Sequence, residues 1–155
     1  MAGKKSTKRF LKDDYKYSDI TVTKFINKVM LDGKKSVAES IVYESMDRLA
    51  KSVNEEPLAA FKQSIENIAP QMEVKSRRVG GSTYQVPIEV KEDRAISQAM
   101  KWIIGFSRSK KGRSMVDNLS QELIDAYNNV GASAKKKDDT HKMAEANKAF
   151  AHFRW

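Results

Sequence analysis

Residues Gly33 to Ser36 match part of a phosphate-binding loop, the element with which many nucleotide-hydrolysing enzymes hold a triphosphate. The spacing excludes the full motif. A first glycine is required where this chain has Lys28, and a serine or threonine is required where it has Lys35. The segment therefore carries charge without the pattern of a nucleotide site.

The histidines and the adjacent acids also lack a catalytic arrangement. His141 and His152 are far apart in sequence, and the chain has no cysteine that could complete a zinc site or act as a nucleophile. The side chains of the adjacent pair Asp13–Asp14 point in different directions, and we interpret Asp138–Asp139 as the start of a helix. We expect no enzyme activity, no metal site, no cofactor and no small-molecule substrate.

The basic residues are the ones that indicate a ligand. Lysine and arginine number 29 against 20 aspartates and glutamates, which gives a formal net charge of +9 and favours a polyanionic partner. Any one basic cluster could be a solvated face, but five clusters together favour nucleic acid. If several lie on one surface, binding depends strongly on salt. The clusters are Lys4, Lys5, Lys8 and Arg9; Lys34 and Lys35; Lys75, Arg77 and Arg78; Arg94, Lys101, Arg108, Lys110, Lys111 and Arg113; and Lys135, Lys136 and Lys137.

The apolar pattern predicts the elements that position these cations: a mainly α protein, a single-domain bundle of about six helices over residues 1–155. Residues 1–12 are basic without an acid and predict a flexible arm. Residues 134–155 are predicted to form a last helix and tail. The helix boundaries are predicted from a stop at Gly33, a capping box at Ser36–Glu39, Pro57 and Pro70 at the ends of the third helix, Ser114 as a cap, and Gly131 as the end of the fifth helix.

A change of apolar period to two predicts a β-hairpin over about residues 72–90. Gly80–Gly81 can adopt the positive φ angles of a tight turn. Tyr84 has apolar neighbours on its strand, so it either packs against the protein or stacks on a base. Trp102 lies at the edge of an apolar helix face, where a core-edge position is favoured over a stacking role.

Neither a secretory signal nor a stretch of ~20 apolar residues is present in the sequence. We therefore expect a cytoplasmic protein that does not associate with membranes.

Three segments are distinctive: residues 19–45, with Phe25–Ile26 and Gly33–Lys34–Lys35; residues 73–87, which include the predicted hairpin turn; and residues 139–155. Together they resemble the family of ribosomal protein seven of the bacterial small subunit. The resemblance covers nearly the whole chain. The chain departs from the family pattern at Ser82 and at Lys137–Asp138. It also departs at Gly105–Phe106–Ser107, where the family more usually has larger or better helix-forming residues.

The resemblance implies a structural protein that binds the 3′ major domain of 16S rRNA and nucleates assembly of the 30S head. It also implies a position at the subunit interface near the exit-site tRNA and mRNA, and contacts with small-subunit ribosomal proteins nine and eleven. Most of the cations named above would face RNA. The hairpin residues implied beside the exit site are Arg78, Val79, Gly80, Gly81, Ser82, Thr83 and Tyr84. The alternative that charge alone leaves open is a helical nucleoid or general nucleic-acid-binding protein.

Overall fold

The computed structural model describes residues 10–154, so the predicted contacts of Lys4, Lys5, Lys8 and Arg9 lie outside the described residues. The described part is mainly helical with one antiparallel hairpin, which confirms the predicted fold class. Its elements are α1 Ile20–Val29, α2 Lys35–Val53, α3 Pro57–Ile68, β1 Met72–Val79, β2 Ser82–Glu89, α4 Glu92–Ser109, α5 Met115–Tyr127, α6 Gly131–Ala146 and a 3₁₀ helix Lys148–Phe153.

The core forms where the apolar stripes of the helices meet. Helix α5 contacts α2, α3, α4 and α6, and its Leu119 and Leu123 are fully buried. Phe25 of α1 and Phe61 of α3 pack edge to face with ring centroids 5.0 Å apart. Burial of each such side chain stabilises the fold by roughly 1.5–3 kcal/mol. The solvent-facing sides of α1 and α4 are left to carry cations.

Several helix ends follow the sequence signals. Pro57 is the first residue of α3, and α3 ends before Pro70 with Ala69 as its C-terminal cap. The Oγ atom of Ser114 accepts a hydrogen bond from the Asp117 N–H at 3.2 Å and caps α5 as predicted.

Other predicted boundaries are wrong. Helix α1 ends at Val29, so Gly33 lies in the following turn and does not end that helix. Helix α2 begins at Lys35, which places Ser36 inside its first turn; the Ser36 carbonyl accepts a hydrogen bond from Ser40, and no side chain caps the helix. The predicted capping box is therefore absent.

The connection from α5 to α6 also differs from the prediction. Gly131 does not end α5, which stops at Tyr127; it is the first residue of α6 and has a φ of +85°. Helix α6 thus starts before residue 134, and Asp138–Asp139 lie inside it rather than at its start. The three lysines from 135 to 137 consequently occupy the second turn, away from the positive end of the helix dipole.

The hairpin is closed by a two-residue turn. Val79 pairs with Ser82, and the intervening Gly80 and Gly81 have φ angles of +58° and +86°, as a turn of the I′ type requires. A bidentate contact joins the hairpin base to α4: Arg94 Nε and Nη2 lie 2.7 Å and 3.0 Å from the two carboxylate oxygens of Glu73.

The C-terminal segment, comprising the 3₁₀ helix and Arg154, covers one face of the hairpin. The Tyr84 ring lies 5.1 Å from the Phe150 ring and 4.8 Å from the Phe153 ring, measured between centroids. Arg77 Nη1 donates to the carbonyl of Phe153, and Arg154 Nε donates to the Pro87 carbonyl at 3.2 Å. Tyr84 therefore packs within the protein, in agreement with the first of its two predicted roles.

Candidate nucleic-acid interface

The first basic surface lies where α1 meets α4. Helix α4 presents Lys101 and Arg108 on the side opposite its buried residues, and α1 presents Lys24 and Lys28, which are exposed and one turn apart. We call these four residues the α1–α4 surface. Lys24 and Lys28 were not predicted from the sequence, because they are isolated lysines rather than part of a run. Their spacing of four residues, opposite the apolar stripe of α1, is the signal that could have found them.

Arg108 holds this surface together. Its Nη2 atom donates to the Val29 carbonyl at 3.0 Å and to the Lys28 carbonyl at 3.3 Å. These carbonyls belong to the last turn of α1, where a cation is favoured by the unpaired acceptors and by the helix dipole. Arg108 therefore fixes the orientation of α4 against α1 and presents only part of its charge to a ligand.

The second basic surface is a concavity of about 440 Å³, lined by cations from three separate places in the chain. Lys34 comes from the turn after α1, Arg108 from α4, and Lys110 and Arg113 from the loop between α4 and α5. Apolar residues, including Leu31, Val37 and Met115, line the same concavity. We call it the loop concavity. Two of the predicted basic clusters thus meet on one surface.

Lys110 forms an ion pair with a buried glutamate. Its Nζ atom lies 2.8 Å from Oε1 of Glu122, whose side chain is only 2% exposed. The second carboxylate oxygen accepts a hydrogen bond from Ser133 at 3.1 Å, and the Lys110 carbonyl accepts one from Asn118 at 3.1 Å. This network orders the loop that carries the exposed Lys111 and Arg113.

The hairpin cations do not form one cluster. Lys75 and Arg77 lie on the face that also carries Tyr84, whereas Arg78 lies on the opposite face beside Thr83. Arg77 is half-buried under the C-terminal segment, and Lys75 and Arg78 are exposed. Arg94, predicted to join the fourth basic cluster, is bound to Glu73 instead.

The lysines of α6 divide in the same way. Lys137 Nζ donates to the Asn67 carbonyl at 3.0 Å, at the C-terminal end of α3, while Lys135 and Lys136 are exposed.

Next to Lys137, the His141 Nε2 atom accepts a hydrogen bond from the Gln71 N–H at 3.0 Å. Burial, and secondarily the charge of Lys137, lower the pKa of His141 below its ordinary value, which keeps the ring a neutral acceptor.

A sequence profile of the family described as ribosomal protein S7p/S5e matches residues 1–148. The chain belongs to this family. Among curated proteins, it is 59% identical over 155 residues to the small ribosomal subunit protein uS7 of Petrotoga mobilis, covering 100% of both chains. It is 55% identical over 148 residues to the protein of that name in Nitratidesulfovibrio vulgaris, covering 96% of this chain and 95% of the relative. The Treponema denticola protein of that name is 52% identical over 153 residues, covering 99% and 98%.

Membership of the S7p/S5e family makes the chain a small-subunit ribosomal protein, a component of a cytoplasmic ribonucleoprotein that acts in translation. Within residues 10–154, no group of three or more histidines, cysteines, aspartates or glutamates is placed to hold a metal ion. No helix in the same range is long and apolar enough to cross a membrane.

The structure separates most of the predicted cations of this S7p/S5e protein into two groups. Five of them bind other parts of the chain: Arg77, Arg94, Arg108, Lys110 and Lys137. Another group makes no ion pair with any residue between 10 and 154 and is open to an external anion: Lys34, Lys35, Arg78, Lys101, Lys111, Arg113, Lys135 and Lys136. The first group shapes the surface, and the second supplies its charge.

Proposed function

We propose that this protein is a primary rRNA-binding protein that binds the 3′ major domain of 16S rRNA and nucleates assembly of the 30S head. The observation that carries the proposal is the meeting of Lys34, Arg108 and Arg113 at the loop concavity, next to the α1–α4 surface, which shares Arg108 with it. Cations drawn from distant positions in the chain thereby face solvent side by side. The role is structural rather than catalytic.

The shape of this surface favours RNA over duplex DNA. The cations surround the loop concavity, which has an apolar lining, whereas a duplex presents a regular convex backbone to a protein. Folded RNA offers junctions and loops whose bases can leave the helix and enter such concavities. About 6–10 phosphate contacts would make the affinity fall by roughly 10³–10⁵ between low and moderate salt.

A salt-titrated filter-binding comparison tests the proposal. The full-length protein is titrated against a transcript of the 3′ major domain, an RNA of matched base composition and a DNA duplex. We expect saturable binding that prefers the transcript and keeps this preference as salt rises. Equal binding to all three, lost together with salt, would support the alternative of a general nucleic-acid-binding or nucleoid protein.

We also propose that the hairpin, from Arg78 to Tyr84, lies beside the exit-site tRNA and mRNA. Arg78 and Thr83 are exposed near the tip, and the hairpin base is fixed to α4 through Glu73 and Arg94. A tip that projects from a fixed base can reach a second RNA while the helices bind the first. Directed hydroxyl-radical cleavage from a probe at Ser82 in reconstituted subunits should cut exit-site tRNA, and cleavage confined to rRNA would contradict this position.

Contacts with small-subunit ribosomal proteins nine and eleven belong to the same proposal and rest on the family resemblance. Cross-linking of reconstituted subunits, with identification of the linked peptides, tests them. We expect links from this chain to both proteins, and links to neither would contradict the assignment.

A further inference from the structure

Helix α4 carries an apolar stripe at the edge of the core, where Trp102 packs against the core as predicted and leaves part of its surface exposed. Trp102, Gly105 and Phe106 lie three and four residues apart and therefore share one side of the helix. Trp102 and Phe106 are half-buried, and Gly105 is exposed. The stripe lines a concavity of about 660 Å³, whose other walls include Lys28 and Lys101. We call it the Trp102 concavity.

Gly105 keeps this concavity open. A Cβ atom built on Gly105 would have no heavy atom within 4 Å, apart from its immediate chain neighbours and the local helix backbone. Gly105 has no unusual φ angle, so its backbone conformation does not require glycine. A glycine inside a helix lowers the stability of the helix relative to alanine, and here it leaves open space in the wall of the concavity that Trp102 also lines.

The charge around the concavity has one sign. Lys28, Lys101 and Arg108 line it, and none of its lining residues is acidic. Arg108 is bound to the carbonyls of α1, but Lys28 and Lys101 form no ion pair within the described part of the chain. By contrast, the concavity at the hairpin base is lined by Glu66, Glu89 and Glu92 together with Lys62. The Trp102 concavity therefore suits an occupant that is flat, apolar on its faces and attached to anions.

We propose that the Trp102 concavity binds one unpaired nucleobase of the rRNA, stacked on the Trp102 ring, while Lys28 and Lys101 contact the flanking phosphates. The inference rests on the proposed function and adds to it the kind of nucleotide that this concavity binds. The base is unpaired because bases stacked inside an A-form helix cannot present a face to a side chain. An apolar side chain of another protein fits less well, because it would leave the two lysines without counter-charges.

Filling the concavity is the first test. Gly105→Leu places a side chain in the space that the base would occupy, and Gly105→Ala is the matched control that adds a methyl group only. With the transcript of the 3′ major domain, we expect Gly105→Leu to bind about tenfold more weakly, within the range measured for loss of one stacked base, and Gly105→Ala to bind within about twofold of the unmodified protein. The salt dependence should be the same for all three, since no phosphate contact is removed.

The ring itself is the second test. The chain has two tryptophans, so Trp155→Phe leaves Trp102 as the single reporter. Stacking should quench its fluorescence on addition of the transcript and not on addition of the matched control RNA. In the same background, Trp102→Phe should keep most of the affinity and Trp102→Leu should lose about tenfold, because leucine retains apolar volume without an aromatic face.

The outcomes separate this inference from the proposed function. If the unmodified protein shows no preference for the transcript, the proposed function fails. If that preference is intact but Gly105→Leu binds normally and Trp102 fluorescence is unchanged, only the base-binding inference fails. Quenching that requires a second ribosomal protein instead of RNA would identify a protein side chain as the occupant and also overturn it.

Discussion

The Nζ atom of Lys110 lies 2.8 Å from Oε1 of Glu122, a carboxylate that is almost completely buried beneath the loop between α4 and α5. A buried charge is tolerated only when it is paired and hydrogen-bonded, and Glu122 has Lys110 and Ser133 as partners. Lys110, predicted as an RNA contact, therefore also has a structural role.

Lys110→Met should lower the free energy of unfolding by about 2 kcal/mol, because it leaves the Glu122 charge buried with only a serine. Lys111→Met, on the exposed neighbour, is the matched control and should change stability by less than about 0.5 kcal/mol. Urea unfolding measures both. If Lys110→Met unfolds at the same urea concentration as the unmodified protein, the Glu122 contact is not stabilising.

Two glycines should respond in opposite ways to alanine. Gly105→Ala should raise the free energy of unfolding by about 1 kcal/mol, because the position is helical and open. Gly131→Ala should lower it by at least about 1 kcal/mol, since φ is +85° and the new Cβ would lie 2.9 Å from the Asp125 Cβ atom. Thermal unfolding of both variants checks the pair, and a shift in the same direction would contradict this account.

Asp19 should make stability depend on pH in the acid range. Burial raises the pKa of Asp19, but hydrogen bonds from Lys62 Nζ and from the N–H groups of Thr21 and Val22 outweigh burial and hold the pKa below its ordinary value. A lowered folded pKa means that the contribution is complete above the unfolded value of about 3.9 and is lost as the pH falls through the folded value.

Asp19→Ala should therefore cost about 1–2 kcal/mol at pH 7 and progressively less below pH 4. Urea unfolding of both proteins across this pH range gives the difference directly. A difference that stays constant down to pH 2 would show that the charge of Asp19 does not contribute.

The C-terminal segment should control the order of the hairpin. Phe153→Ala removes a ring that packs on Tyr84, so hydrogen exchange of the β1 and β2 amides should become faster while the α5 amides stay protected. Met143→Ala, at a residue that is 51% exposed, is the control and should leave the hairpin unchanged. Equal exchange in the two variants would mean that the segment does not stabilise the hairpin.

Cations that make no ion pair within the described residues should affect the salt dependence of RNA binding more than cations bound to a carboxylate of the chain. Replacing Lys28 and Lys101 together by glutamine should reduce the slope of log K against log salt by about 1.4–1.8, or 0.7–0.9 for each phosphate contact. Arg94→Gln should leave the slope nearly unchanged, because Glu73 already neutralises that guanidinium. If the double variant and Arg94→Gln reduce the slope equally, free and paired cations do not differ in their contribution to RNA binding.

The sequence predicted those parts of the fold that depend on local chemistry. The apolar stripe of α1, Pro57 and Pro70 at the ends of α3, and the glycine pair of the hairpin each act over a few residues. The failures at Ser36 and Gly131 have a local cause as well. A serine before an acid can cap a helix or sit in its first turn, and a glycine with positive φ can end one helix or begin the next.

The site was less predictable, because the partner of a cation is set by tertiary structure. Arg94 and Lys101 share one stripe of α4, yet Arg94 meets Glu73 of the hairpin and Lys101 meets solvent. Arg108 and Lys110 likewise bind groups from α1 and α5 that are distant in sequence. Sequence patterns identified the charged stripes but not which members remain available to RNA.

The C-terminal segment also sets the order of events during synthesis. Residues 72–89 are translated well before the 3₁₀ helix Lys148–Phe153, so the nascent hairpin can form its ladder but lacks the contacts of Tyr84, Arg77 and Pro87 with the C-terminal segment. A chain terminated before Lys148 would never acquire them. The hairpin is therefore fixed later than its own translation, only once residues 148–154 have been made.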